Sequence, residues 1–344
     1  MNKLIEKYDI SKQSEILINS YEQIEYAKNN TYSFNNSDYY NINKIIICGM
    51  GGSAIGGEVI LNLYKNEINI PIFINRGYDL PNICDINTLI IVSSYSGNTE
   101  ESISSFLQAV NKRCKIISFS TGGKLEQLCE AHNLPFIKLK KGYHPRFALY
   151  LISFTLIKIL EQLKIIPDQE GFITESSNML KKLAQEYLKI DSLPIKLAEN
   201  LTGFLPIIYG VYDFNNSLAN RMKGQFNENS KLHAFYNLLP EMNHNEIIGW
   251  ETYSEFMFRA KVIYLLDKDI NPRIKNRFEI LEPLLLEKSI EIIKFESEKD
   301  SFGLRLLEQI YLTDWVTYYL ALNRKKDPAE IDYINHLKIE LSKI

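Results

Sequence analysis

Residues 88–103 read Thr-Leu-Ile-Ile-Val-Ser-Ser-Tyr-Ser-Gly-Asn-Thr-Glu-Glu-Ser-Ile, and this stretch decides the fold. The apolar run from Leu89 to Val92 is typical of a strand that is buried on both faces, as in a parallel sheet. The residues after it predict a helix over about 99–112. A buried strand that runs through a short turn into a helix indicates a βαβ architecture.

The turn between this strand and this helix predicts an anion site. Ser94, Ser96 and Thr99 place three hydroxyls around Gly97, where free N–H groups and the positive end of the helix dipole favour negative charge. The hydroxyls add neutral donors. Because the turn contains no lysine, it is not a nucleotide P-loop. The pattern favours a small monophosphate, and the alternative is an ordinary N-capped loop.

Strand and helix patterns alternate on both sides of this stretch and predict an α/β fold with parallel sheets. The strand patterns of the first half predict a doubly wound sheet, and they cover residues 44–48, 70–75, 88–93, 115–120 and 135–139. The second half contains four strand patterns, near 204–211, 233–237, 261–267 and 289–295, before two final helices. We therefore expect two domains of similar architecture, residues 1–155 and residues 156–344.

Composition narrows the classes of partner. The chain has 344 residues and a net charge of −3, so neither nucleic acid nor an anionic membrane surface is favoured. It has no apolar run of transmembrane length and no signal-peptide pattern at its start. The four cysteines form no Cys-x-x-Cys pair, which favours reduced, buried thiols. These features predict a cytoplasmic protein.

A second glycine-rich turn follows the first strand, at residues 49–57. It contains the G-x-G-x-x-A pattern of dinucleotide sites, but Asn75 and Arg76 stand where such a site needs an acidic residue for the ribose. The favoured interpretation is close approach to a small ligand, with the amides of Gly51 and Gly52 and the hydroxyl of Ser53 facing it. The alternative is a tight turn whose glycines serve packing alone.

Four ionisable residues outside these turns are candidates for a catalytic or a phosphate-binding role. Arg146 opens a helical pattern, and its guanidinium could bind phosphate or be solvated. Glu228 is flanked by amides and hydroxyls and could transfer a proton or be a solvated loop acid. His244 lies in a polar cluster and could be a cap or a surface residue, while Lys338 on its own pattern is a solvated lysine. No metal-ligand spacing is present around His244, and no nucleophile elbow occurs.

Together these segments resemble the SIS (sugar isomerase) domain proteins, and among them the bifunctional phosphoglucose/phosphomannose isomerases. The Ser-Tyr-Ser-Gly-Asn-Thr turn matches the sugar-phosphate motif of SIS domains. Narrower matches occur in the family's order over residues 45–338, at residues 49–57, 145–148, 227–231, 240–245 and 327–338.

The resemblance implies two SIS domains, each a doubly wound five-stranded parallel sheet flanked by helices, and a homodimer without metal or cofactor. It implies interconversion of glucose 6-phosphate, fructose 6-phosphate and mannose 6-phosphate, as in glycolysis and gluconeogenesis. It assigns proton transfer through a cis-enediol to Glu228, and ring opening to Lys338 and to His244 reaching across the dimer. Substrate phosphate would be bound by Ser53, Ser94, Ser96, Thr99 and Arg146.

Two departures from the family pattern accompany the match. Ser230 stands where a smaller residue is expected, and residues 327–333, which include Pro328, lack the threonine that the resemblance associates with space at C2 of the sugar. Mannose 6-phosphate is therefore the substrate that most needs a test. The alternative function is a non-catalytic SIS sensor that binds a sugar phosphate and regulates a partner.

Overall fold

Parallel β-sheets flanked by helices organise the part of the chain that the structure describes. The structure is a computed structural model, and it describes residues 1–341 and residue 343. The chain divides into two units: Asn19–Met179, here called the N-unit, and Met1–Ile18 with Leu180–Ile344, here called the C-unit. The domain limit expected at residues 155 and 156 lies inside one helix, Leu149–Gln162, whose side chains are mostly buried, so no linker divides the chain there.

Three short α-helices precede the first strand. They are α1 (Asn2–Tyr8), α2 (Gln13–Ile18) and α3 (Tyr21–Asn29). The first two belong to the C-unit and the third to the N-unit.

The N-unit then alternates strands and helices, as its sequence pattern predicts. Its elements are β1 (Lys44–Cys48), α4 (Gly52–Tyr64), β2 (Ile72–Asn75), β3 (Thr88–Ser93), α5 (Glu100–Asn111), β4 (Lys115–Ser120), α6 (Gly123–Ala131), β5 (Phe136–Lys138), α7 (Leu149–Gln162) and α8 (Glu170–Tyr187), whose end lies in the C-unit.

The five strands of the N-unit form one parallel sheet in the order β2-β1-β3-β4-β5. Ile90 of the central strand β3 pairs with Ile46 on one side and with Ile116 on the other. Every residue of β3 is buried, which explains its unbroken apolar pattern. The strand order reverses between β1 and β3, and in open parallel sheets ligands bind beyond the carboxyl ends of such strands.

The C-unit repeats the alternation with a smaller sheet. Its elements are α9 (Leu193–Asn200), β6 (Leu205–Val211), α10 (Asn216–Glu228), β7 (Phe235–Leu239), β8 (Ala260–Leu265), α11 (Pro272–Glu287), β9 (Ile292–Phe295), α12 (Phe302–Asn323) and α13 (Asp332–Leu341). The strands are parallel in the order β7-β6-β8-β9.

The expectation of five strands in the second sheet is wrong, because this sheet has four. The residue pattern indicated only four strands there, and the fifth came from the resemblance. The chain after β9 forms α12, which is buried along most of its 22 residues. A helix that is apolar on nearly all sides packs in a core and leaves no alternating segment for another strand.

Two further expectations concern thiols and membranes. All four cysteines are free and buried, as the sequence indicated. Among the described residues, no helix combines the length and the apolar character that crossing a bilayer requires.

Candidate active site

The residues Ser94–Thr99, here called the hydroxyl turn, connect β3 to α5 in the N-unit. Ser94 is 1% exposed, its Oγ donates to Thr99 Oγ1 at 3.0 Å, and it accepts from the Gly97 N–H at 3.1 Å. Ser96 is exposed and its Oγ accepts from the Asn98 N–H at 3.2 Å. The turn therefore has a buried half that holds its shape and an open half that a ligand can reach.

A second turn, which sequence reasoning missed, supports the hydroxyl turn from the β4–α6 connection. Gly97 has a φ of +73°, and a Cβ added to it would lie 1.6 Å from the carbonyl oxygen of Gly122. The Leu125 N–H donates to the Gly97 carbonyl at 2.9 Å, and the Lys124 N–H donates to Asn98 Oδ1 at 2.9 Å. The residue pair Gly122-Gly123 at the start of α6 was the available signal for this contact.

The glycine turn after β1 lies against the same edge of the sheet. A Cβ at Gly49 would lie 2.9 Å from the Ser93 carbonyl oxygen, and one at Gly52 would lie 2.7 Å from the Pro145 carbonyl oxygen. Ser53 is buried in the first turn of α4. These approaches require glycine, and they are of the kind given as the alternative interpretation, in which the glycines serve packing.

Arg146 enters this edge on a short 3₁₀ helix, Pro145–Phe147, immediately before α7. Its side chain is buried, and the guanidinium Cζ lies 4.8 Å from the centre of the Phe147 ring. Since the Pro145 carbonyl touches the Gly52 position, the arginine backbone is held against the glycine turn. The N-unit thus brings Ser53, Arg146 and the hydroxyl turn to the carboxyl edge of its sheet.

Glu228 is the last residue of α10 in the C-unit, and it is half-buried. It lines a cleft of about 570 Å³ together with residues that include His233, Glu330 and Tyr333. The first turn of α13 therefore forms a wall of this cleft. Neither His244 nor Lys338 belongs to its lining.

The residues after Glu228 are fixed to α12. Asn229 Nδ2 donates to Thr317 Oγ1 at 3.1 Å, and Ser230 Oγ donates to the Thr317 carbonyl at 2.8 Å. Both side chains are fully buried. The hydroxyl by which Ser230 departs from the family pattern is therefore satisfied inside the C-unit.

His244 is exposed and ends a 3₁₀ helix, Glu241–His244, which a second 3₁₀ helix, Glu246–Trp250, follows. Glu246 anchors this loop: Tyr209 Oη donates to its Oε1 at 2.7 Å, and Asn237 Nδ2 donates to its Oε2 at 2.6 Å. Trp250 Nε1 donates to Tyr209 Oη at 2.8 Å. Burial, with the Glu246 charge beside it, raises the pKa of Tyr209 above its usual range.

Replacing Tyr209 by phenylalanine should lower the free energy of unfolding by about 1–2 kcal/mol, because Trp250 Nε1 and Glu246 Oε1 each lose a buried partner. Urea unfolding measures this difference. Tyr212→Phe is the control, since Tyr212 follows the same strand and is exposed. Equal unfolding free energies for the two variants would contradict this account of the loop.

Lys338 lies on α13, whose residues are all exposed. The structure thus puts Lys338 on the helix that begins at the Glu228 cleft, but not in the cleft. Among the described residues, no group of three or more His, Cys, Asp and Glu side chains is arranged to hold a metal ion.

Comparison with known proteins identifies the family. Residues 190–341 match the model described as the bacterial phospho-glucose isomerase C-terminal SIS domain. A bifunctional phosphoglucose/phosphomannose isomerase of Caldicellulosiruptor bescii is 36% identical over 88% of this chain and 91% of its own length. One of Aquifex aeolicus is 33% identical over 87% and 90%.

Similarity in fold extends to more distant proteins. The crystal structure of a hypothetical protein from Thermus thermophilus has a TM-score of 0.77 at 14% identity, over 99% of this chain and 92% of that one. That likeness concerns the fold alone. The identities to the two curated isomerases extend over both sheets, and the chain is an isomerase that belongs to the bifunctional phosphoglucose/phosphomannose isomerase family.

Proposed function

We propose that this protein interconverts glucose 6-phosphate, fructose 6-phosphate and mannose 6-phosphate without a metal ion, by moving a proton between C1 and C2. The observation that carries the proposal is the hydroxyl turn at the carboxyl edge of the N-unit sheet, in a chain that belongs to this family of isomerases. We also propose that the N-unit is a SIS domain like the C-terminal one.

The hydroxyl turn is suited to the substrate phosphate. The open hydroxyl of Ser96 and the first N–H groups of α5 can donate to phosphate oxygens. Ser94 and Thr99, which hold the turn together, belong to the same proposed phosphate-binding set. Ser53, Arg146 and the amides of Gly51 and Gly52 complete the proposed binding set at the same edge. The guanidinium of Arg146 matches two phosphate oxygens at once.

Glu228 is proposed as the base. From open-chain fructose 6-phosphate, its carboxylate takes a proton from C1 as the C2 carbonyl oxygen gains one, which gives the cis-enediol. Return of the proton to C2, with loss of the proton on O1, gives the aldose. A half-buried carboxylate at a helix end beside a cleft supports this role.

His244 and Lys338 are proposed to assist ring opening, with His244 supplied by the partner subunit of a homodimer. Exposure supports this role for His244, because it lies on an anchored loop and not in the cleft of its own chain. Ile248, Phe256 and Met257, in the segment after it, are large, apolar and exposed. Exposed apolar patches are often covered by another protein surface.

The function is tested by incubating EDTA-treated protein with fructose 6-phosphate and quantifying glucose 6-phosphate and mannose 6-phosphate separately. Both products are expected, and each should form at the same rate as with untreated protein. Glucose 6-phosphate alone would restrict the proposal to one epimer and direct attention to residues 327–333. Neither product, with sugar phosphate still bound, would support the non-catalytic sensor.

Ser96→Ala should raise the KM for fructose 6-phosphate about tenfold and change kcat less than threefold. The exposed hydroxyl is proposed to donate to a charged phosphate, and such hydrogen bonds contribute about 1.5–3 kcal/mol. Steady-state kinetics measures both constants. Ser104→Ala is the control, because Ser104 lies in α5, which follows the hydroxyl turn, but beyond the first turn of that helix. An unchanged KM in Ser96→Ala would remove Ser96 from the binding set.

A further inference from the structure

Lys231 follows Glu228 by three residues and turns its side chain onto the main chain. Its Nζ donates to the carbonyl oxygen of Glu228 at 2.8 Å and to that of Asp327 at 2.7 Å. Longer contacts, at 3.3 and 3.2 Å, reach the carbonyls of Asn229 and Pro328. An ammonium group has three N–H donors, so these four oxygens share them.

This ammonium joins the end of α10 to the segment that leads into α13. The last carbonyls of a helix lack partners within the helix, and a cation is favourable there. Arg324 adds two more bonds to the main chain after α10. Its Nε donates to the Ser230 carbonyl at 2.8 Å, and its Nη2 donates to the Lys231 carbonyl at 3.1 Å.

The backbone at Lys231 is itself constrained. Its φ is +51°, in the left-handed region that non-glycine residues seldom adopt. Such a conformation persists when the surrounding contacts determine it. Here the contacts come from both sides: the side chain reaches residues 327 and 328, and Arg324 reaches the carbonyls.

We propose that Lys231 is a positioning residue, which fixes Glu228 relative to the cleft wall formed by residues 330–334. This inference rests on the proposed role of Glu228 as the base. The main chain of Glu228 is bonded to Lys231, and Lys231 is bonded to the chain three residues before Glu330. A base misplaced by about 1 Å can cost about 100-fold in rate.

A positioning role predicts a particular division between kcat and KM. Lys231 donates to main-chain oxygens of the C-unit, whereas the proposed phosphate contacts lie in the N-unit. Lys231→Met keeps the length of the side chain and removes all three donors. We expect kcat to fall about 100-fold, with KM for fructose 6-phosphate and affinity for sorbitol 6-phosphate, which has no carbonyl to isomerise, changed less than threefold.

The experiment compares four full-length proteins: wild type, Lys231→Met, Lys325→Met and Glu228→Gln. Lys325 is the matched control, because it has the same left-handed backbone, with a φ of +58°, and an exposed side chain. Binding of sorbitol 6-phosphate, measured by calorimetry, counts the folded sites in each sample. If Lys231→Met does not fold, Lys231→Arg replaces it, since a planar guanidinium cannot converge on the same oxygens, and a tenfold lower kcat is expected.

Each result decides one proposal. A folded Lys231 variant with wild-type kcat, or with its defect in KM alone, overturns the positioning role. A fall in kcat of the same size in Lys325→Met overturns it as well, because the loss of a positive charge alone would then explain the defect. Turnover retained by Glu228→Gln would instead overturn the proposed function, whatever the lysine variants do.

Discussion

Glu228→Gln is expected to lower kcat for the isomerisation of fructose 6-phosphate about 1,000-fold. An amide has the shape of the carboxylate but accepts no proton at neutral pH, and general bases commonly contribute about 10²–10⁴-fold. The substitution keeps the half-buried position at the end of α10 filled. The affinity for sorbitol 6-phosphate should therefore change less than threefold.

Glu287→Gln is the matched control for this prediction. Glu287 is also the last residue of a C-unit helix, α11, and its side chain is exposed. The kcat of Glu287→Gln should equal that of the wild type. If Glu228→Gln turned over at a rate similar to Glu287→Gln, another group would be the base.

Gly97→Ala is expected to lower the free energy of unfolding by about 3 kcal/mol or more, at the upper end of single-substitution effects. The added Cβ would lie 1.6 Å from the Gly122 carbonyl oxygen, at a backbone φ of +73°. Both the clash and the conformation oppose alanine, and the obstacle is main chain that cannot rotate away. Urea unfolding and binding of sorbitol 6-phosphate are measured together.

The control for Gly97 is Gly171→Ala, in the same unit. Gly171 lies in α8, where an added Cβ meets no atom within 4 Å and the backbone is not left-handed. Alanine should leave stability unchanged or raise it by up to about 1 kcal/mol. If Gly97→Ala unfolded at the wild-type urea concentration and still bound the ligand, the close packing of the two turns would be incorrect.

The N-unit sheet could be predicted from sequence because its strands are short and its three inner strands are mostly buried. Unbroken apolar runs such as Leu89–Val92 are punctuated by Gly and Ser turns, and these local signals place strands within about two residues. For the second sheet, the resemblance to the family predicted the wrong number of strands. Its residues indicated four strands, and importing a fifth from the family gave the error that α12 reveals.

In the candidate site, too, features formed by contiguous residues could be predicted, whereas contacts between distant residues could not. The hydroxyl turn was predictable, since strand, turn and helix are contiguous in the sequence. The contact of Gly97 with Gly122 was not, because it joins two strand–helix connections. Lys231 and Asp327 are 96 residues apart, and Tyr209 and Glu246 are 37 apart. Only the folded chain brings such partners together.

The most direct test of the proposed proton transfer is the deuterium content at C2 of glucose 6-phosphate formed from fructose 6-phosphate in D2O. A carboxylate that takes a proton from C1 can exchange it with solvent before returning it to C2. Deuterium should therefore appear at C2 in a substantial fraction of the product of the wild-type enzyme. Rapid formation of glucose 6-phosphate with no deuterium at C2 would indicate a hydride shift and contradict the account.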